Sequence, residues 1–156
     1  MTAAISPRLS VAALVATKPG SRPRLVYRTH HARRGSGRKG FTEADYAALL
    51  DAAHQQLGGP IVLVWDNLNT HVSAAMAELI AARPSLMMFR LPPYAHELNP
   101  VESVWSHLKR SLANLTKHTL AELTALAKTR LKRMQYRPAL LTGSLVGTRL
   151  EFGPFL

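Results

Sequence analysis

The stretch that most narrows the fold is IVLVW, Ile61 to Trp65, five apolar residues with no polar interruption. Gly58, Gly59 and Pro60 precede it and Asp66 ends it. A strand with one wet face alternates apolar and polar residues. An unbroken apolar run is expected of a central strand covered on both faces, as in an α/β sheet.

Helix signals flank this run. On the upstream side Thr42 can cap, Asp45 stands where a capping box wants an acid, and Phe41 can staple onto Tyr46. Leu49, Leu50, Ala53 and Leu57 continue an apolar face until the glycines stop it. On the downstream side, DNLNTH reads as a turn. A helix follows from about Val72 to Arg83, with Val72, Met76, Leu79 and Ile80 on one face. LMMFRL is then a short strand.

Further upstream, Arg8 to Thr17 reads as a strand and Arg22 to Thr29 as its hairpin return. Pro19 and Gly20 between them stand in the order a type II turn prefers. Towards the C-terminus, Val101, Val104, Trp105, Leu108 and Leu112 give one helix a buried stripe. Leu120, Leu123, Leu126 and Leu131 do so for a second, from about Thr119 to Met134. The element order predicts an α/β protein with a mixed sheet and flanking helices. The reading places one domain over residues 1–134 and a loosely held tail, rich in turn residues, over 135–156.

Composition adds the partner class. The 156 residues suffice for one domain with its own core, and the net charge of +11 favours a polyanion, most often nucleic acid. Arg33, Arg34, Arg38 and Lys39 crowd the glycine-rich loop at 30–40, and Lys109 and Arg110 add two charges to a helix. These are the candidate DNA contacts; a solvated basic loop is the plainer alternative. Cysteine is absent, which excludes disulfides and thiolate zinc sites and fits an intracellular protein. No run of about 18 apolar residues exists to span a membrane. SVAALVAT is too short, and its basic flank too weak, for a signal peptide.

The nine acidic residues are scarce enough that their placement carries information. Asp66 follows a buried strand, and ligands of open α/β sheets bind at the carboxyl ends of strands. It can equally satisfy turn amides. Glu102 lies 36 positions later. With Asn99 as cap and Pro100 as the first helical residue, it stands where a capping-box glutamate would. Adjacent parallel strands would bring both carboxylates to one edge of the sheet. Two hard oxygen ligands there suit Mg²⁺ or Mn²⁺, and in a basic protein the matching chemistry is metal-dependent phosphoryl transfer on nucleic acid. His71 lies a turn from Asp66, and solvation at a helix start is its expected fate.

VWDNLNTH followed by LPPYAHELNPVESVWSHLKR resembles the DDE transposases of bacterial insertion sequences of the 630 type, in the mariner superfamily. The resemblance pairs an Asp-Asn at a strand end with an LNP-[IV]-E-x-x-W element. It extends more weakly from Arg8 to Arg133. It implies a ribonuclease-H-like fold and DNA transposition by metal-dependent strand cleavage and transfer. It implies Asp66 and Glu102 as catalytic metal ligands for two Mg²⁺ or Mn²⁺ ions. Asn67, Asn99 and Trp105 would support the site. DNA at element ends and target, a homodimer in the complete enzyme, and a cytoplasmic, nucleoid-associated setting follow from the same resemblance.

The family's first strand, central in the sheet and carrying the first aspartate, has no counterpart before the hairpin. No acidic residue precedes Glu43, and Glu43 and Asp45 read as first-turn helix acids. The expectation is therefore a catalytic domain lacking its central strand, inactive alone, with the missing N-terminal part as a possible partner. The alternative is a non-catalytic remnant that binds DNA or interferes with assembly.

Overall fold

The computed structural model describes residues 9–31, 40–113 and 119–148. The basic cluster Arg33, Arg34, Arg38 and Lys39 lies outside them. β1 (Leu9–Ala16) and β2 (Arg24–His31) form an antiparallel hairpin, with Leu9 opposite His31 and Ala16 opposite Arg24. The turn forms as its sequence requires: Ser21 N–H donates to the Lys18 carbonyl at 3.0 Å, and Gly20 takes φ +74°. That positive φ is the i+2 position of a type II turn, where glycine has no Cβ to clash.

Helix α1 (Glu43–Leu57) starts on the expected capping box. The Thr42 side chain accepts from Asp45 N–H, and the Thr42 N–H donates to Asp45 Oδ2 at 2.8 Å. The Phe41 and Tyr46 rings lie 5.7 Å apart, so the staple forms as well. Gly58 ends the helix in the left-handed region. Lys18 and Arg24 tie the hairpin to this end, donating to the carbonyls of Leu57 at 2.9 Å and Gln56 at 2.8 Å.

β3 (Ile61–Trp65) and β4 (Leu86–Arg90) pair in parallel, Trp65 opposite Arg90. Between them lie α2 (Asn69–Val72) and α3 (Ala74–Ala81). The single helix expected from Val72 to Arg83 is thus broken. Ser73 adopts an extended conformation and accepts from Met76 N–H, capping α3 as a new start.

α4 (Val101–Leu112), α5 (Leu120–Gln135) and α6 (Pro138–Gly147) complete the chain. Val104, Leu131, Met134 and Leu141 bury against Leu25 of β2, forming the larger core. Each such side chain contributes about 1.5–3 kcal/mol by leaving water. Two smaller clusters lie under α1; Leu14, Tyr46 and Ile61 belong to the rims of both.

Three expectations need correction. β3 is covered on one face only: Leu63 and Trp65 are buried, while Val62 and Val64 are 66% and 44% exposed. Met87 and Phe89 extend that bare apolar face onto β4. The reason is topological, since α1 and α3 occupy one side and α4 to α6 serve the hairpin instead. Second, the mixed sheet is divided. β1 pairs with β2 and β3 with β4, and among the described residues no ladder joins the two pairs. Third, the segment after Gln135 is not a loose tail as far as residue 148. Pro138 starts α6, and Leu141 and Leu145 bury where the turn-rich composition suggested a loop.

Candidate metal-binding edge

The parallel pair sets the stage. The Trp65 carbonyl accepts from Leu91 N–H at 2.8 Å, carrying the ladder one residue past β4. Asn67 then clamps the two exits together: its Nδ2 donates to the Leu91 carbonyl at 3.0 Å. Asp66 and the loop leading to Glu102 therefore leave from the same, carboxyl-terminal edge of the pair.

Asp66 satisfies a turn amide with one of its two oxygens. Oδ1 accepts from Leu68 N–H at 3.2 Å, an Asx turn, and lies 2.9 Å from Nδ1 of His71. Oδ2 has no hydrogen-bond donor among the described residues. One oxygen holds the turn and the other is uncommitted among the described residues.

Glu102 departs from the capping reading. The helix begins one residue later than expected, with Pro100 at the cap position and no side-chain cap. The Asn99 side-chain oxygen accepts from Val101 N–H at 3.2 Å, and the Asn99 carbonyl accepts from Glu102 N–H at 3.0 Å. The Glu102 carboxylate has no partner among the described residues, so it is half-buried in the first turn and uncommitted. Trp105, one turn on, packs against the larger core and fixes the helix behind Glu102. Lys109 and Arg110 are exposed in the last turn, where they also suit the helix dipole.

Glu43 and Asp45 stay out of this site. Asp45 is engaged in the capping box, and Glu43 accepts from Ser73 Oγ at 3.0 Å. No group of three or more His, Asp or Glu that could hold a metal gathers among the described residues.

His71 is the residue whose role the sequence understated. It is not solvated at a helix start; its side chain is 11% exposed. The ring stacks on Trp65 at 4.1 Å and 4°, and meets the Tyr46 ring edge-on at 4.8 Å. Burial pushes its pKa below the ordinary imidazole value of 6.5, outweighing the nearby Asp66 carboxylate, which acts in the opposite sense. Burial, and secondarily the charge of Asp66, raises the Tyr46 phenol. The Nε1 of Trp65 and Nε2 of His71 are buried without a hydrogen-bond partner among the described residues. The five-residue spacing in DNLNTH was the available signal for His71.

The described residues form an α/β domain with a hairpin, a parallel pair and flanking helices. Solved structures agree at the level of fold. The Mos1 transposase catalytic domain with raltegravir and Mg matches with TM-score 0.56 at 10% identity, over 93% of this chain and 85% of that one. The same domain with raltegravir and Mn gives 0.54 at 11% identity, covering 93% and 84%. The Mos1 transposase paired-end complex with the left transposon end gives 0.53 at 11%, covering 94% of this chain and 55% of that one. No curated protein sequence matches the chain. Residues 24–126, more than half of the chain, match the DDE superfamily endonuclease family, and the chain belongs to that family. By family it is a DDE-type endonuclease. No helix among the described residues is long and apolar enough to cross a membrane.

Proposed function

We propose that this chain is part of a DDE transposase catalytic domain, of the 630 insertion-sequence type, in which Asp66 and Glu102 are two of the metal-binding carboxylates. The observation that supports this most is the pairing of family with geometry. Within the matched residues, Asp66 stands at the exit of β3, the loop to Glu102 leaves from the exit of β4, and each carboxylate keeps at least one oxygen uncommitted. Hard carboxylate oxygens with open positions beside them fit Mg²⁺ or Mn²⁺. A bound ion there supplies Lewis-acid activation of water or a 3′-hydroxyl for attack at phosphorus.

The chain's own residues have supporting tasks. Asn67 holds the two strand exits together, Asn99 shapes the entry to α4, and Trp105 anchors that helix to the core. The net charge of +11 draws in the DNA backbone. The DNA would be element ends and target, in a homodimer of the complete enzyme in the bacterial cytoplasm.

The site is incomplete in this reading. Among the described residues β1 and β3 each pair on one side only, and the nitrogens of Trp65 and His71 that lack a partner there lie at the end of β3. Unpaired strand edges and buried unpaired polar atoms are costly. An additional strand between β1 and β3, bearing the third carboxylate, would answer both, and without it the chain does not cleave. A second reading, a DNA-binding or assembly-interfering remnant, is favoured by the absence of a three-carboxylate group among the described residues.

Plasmid nicking in Mn²⁺, run beside Mn²⁺ binding by electron paramagnetic resonance, tests this. The expected result is binding that Asp66→Asn and Glu102→Gln each weaken, with no nicking. Nicking that both substitutions abolish would make the chain a self-sufficient nuclease. Mn²⁺ binding indifferent to both substitutions would leave only the remnant.

A further inference from the structure

We propose that His71 is a positioning residue for Asp66, holding its carboxylate so that Oδ2 faces a metal ion. The inference rests on reading Asp66 as a ligand and extends it to a residue one short helix away.

Three contacts fix the imidazole. Trp65 covers one ring face at 4.1 Å in near-parallel stacking, Tyr46 closes one side edge-on, and Nδ1 meets Asp66 Oδ1 at 2.9 Å. The same nitrogen lies 3.3 Å from the Asp66 carbonyl, so only Asp66 faces it. The charged ring and the neutral Nδ1–H tautomer both donate from Nδ1, so the contact requires that tautomer when the ring is neutral.

With Leu68 N–H at 3.2 Å on the same oxygen, Oδ1 receives two donors. Oδ1 is thereby filled and the carboxylate rotation set, which leaves Oδ2 as the ligand atom. His71 is not itself placed as a ligand. Nδ1 is engaged, and Nε2 is buried with no hydrogen-bond partner among the described residues. Hydrogen bonds to metal-bound carboxylates orient them, and their removal typically weakens metal binding about 10–100-fold.

The test uses the full chain and Mn²⁺ followed by electron paramagnetic resonance. His71→Phe keeps the stacking and removes the donor; His71→Asn offers an amide donor near the position of Nδ1. The expected result is a loss of about 10–100-fold in Mn²⁺ affinity for His71→Phe, with His71→Asn regaining most of it. An affinity unchanged in His71→Phe, while Asp66→Asn abolishes binding, overturns this inference and leaves Asp66 a ligand. Equal weakness of both His71 variants also overturns it, since packing alone would then explain the loss. Binding that Asp66→Asn does not alter overturns the ligand reading and this inference together. Should the phenylalanine variant not fold, long-range ¹H–¹⁵N spectra of the wild-type ring decide. The Nδ1–H tautomer is expected, and the Nε2–H tautomer sinks the proposal.

Discussion

Asn67 donates from Nδ2 to the Leu91 carbonyl at 3.0 Å, so the residue after Asp66 is fastened to the residue that begins the loop towards Glu102. The two exits of the parallel pair cannot separate without breaking this bond. Asn67→Ala should cost about 0.5–1.5 kcal/mol, the usual net value of such a bond. Urea unfolding measures it. A midpoint identical to wild type would mean that the clamp carries no load. If the exits do hold the metal ligands, Mn²⁺ affinity should fall in the same variant.

The second prediction concerns α6. Leu141 is fully buried against Leu131 and Met134 of α5 and Val104 of α4. Leu141→Ala should destabilise the chain by about 2–5 kcal/mol, as for other large-to-small core substitutions. An effect under about 0.5 kcal/mol, the range of surface substitutions, would show that α6 is not part of the core.

A third prediction follows from the fork between Arg83 and Asp51. Arg83 donates from Nε at 2.8 Å and Nη2 at 2.9 Å to the two Asp51 oxygens, tying the end of α3 to α1. The Arg83 hydrogen bonds hold the Asp51 carboxyl below its ordinary 3.8. A depressed carboxylate pKa stabilises the fold above the unfolded value and loses that stabilisation as pH falls through the folded one. Asp51 is 52% exposed, so solvent screening keeps the gain within about 1 kcal/mol. Thermal melts of wild type and Asp51→Asn should differ slightly at about pH 6 and converge as pH falls from 3.8, the ordinary value, through the lower folded-state one. A gap that widens with acid would contradict the pairing.

The fourth prediction is electrostatic. DNA affinity should fall steeply with salt, because each neutralised phosphate releases counterions. Replacing Lys109 or Arg110 by Ala should lower the log–log salt slope by about 1 for each residue that touches phosphate. Slopes unchanged in both variants would assign those charges to the helix dipole alone.

The features legible in the sequence are those decided within a few residues. Pro19-Gly20 makes its turn, and Thr42 and Asp45 make their box. Glu102 shows the limit of that logic. Asn99 directs its side chain to Val101 N–H, the helix starts late, and the glutamate that fits a capping pattern makes no cap. What remained hidden depends on distant partners. Nothing local in LLTGSLVG announces a helix, with Gly143 and Gly147 inside it, yet burial of Leu141 and Leu145 holds one. The bare face of Val62 and Val64 is apolar in composition, so periodicity could not separate it from a covered one. His71 needed the ring stack of Trp65 and the edge of Tyr46, which come from different elements.

Four residues make up α2, which carries His71, and Ser73 separates it from α3. A helix of one turn cannot sustain itself in water, because nucleation costs more than so few bonds return. Its order is borrowed: from the Trp65 stack, from Asp66, and from the Ser73 to Glu43 bond at 3.0 Å. This corner should therefore open well before the rest of the molecule, with amide hydrogens of His71 and Val72 exchanging at a free energy far below that of Val104 or Leu131. A ligand that fastens Asp66 would slow that exchange locally, and the kinetics of one turn would then report occupancy of the whole edge.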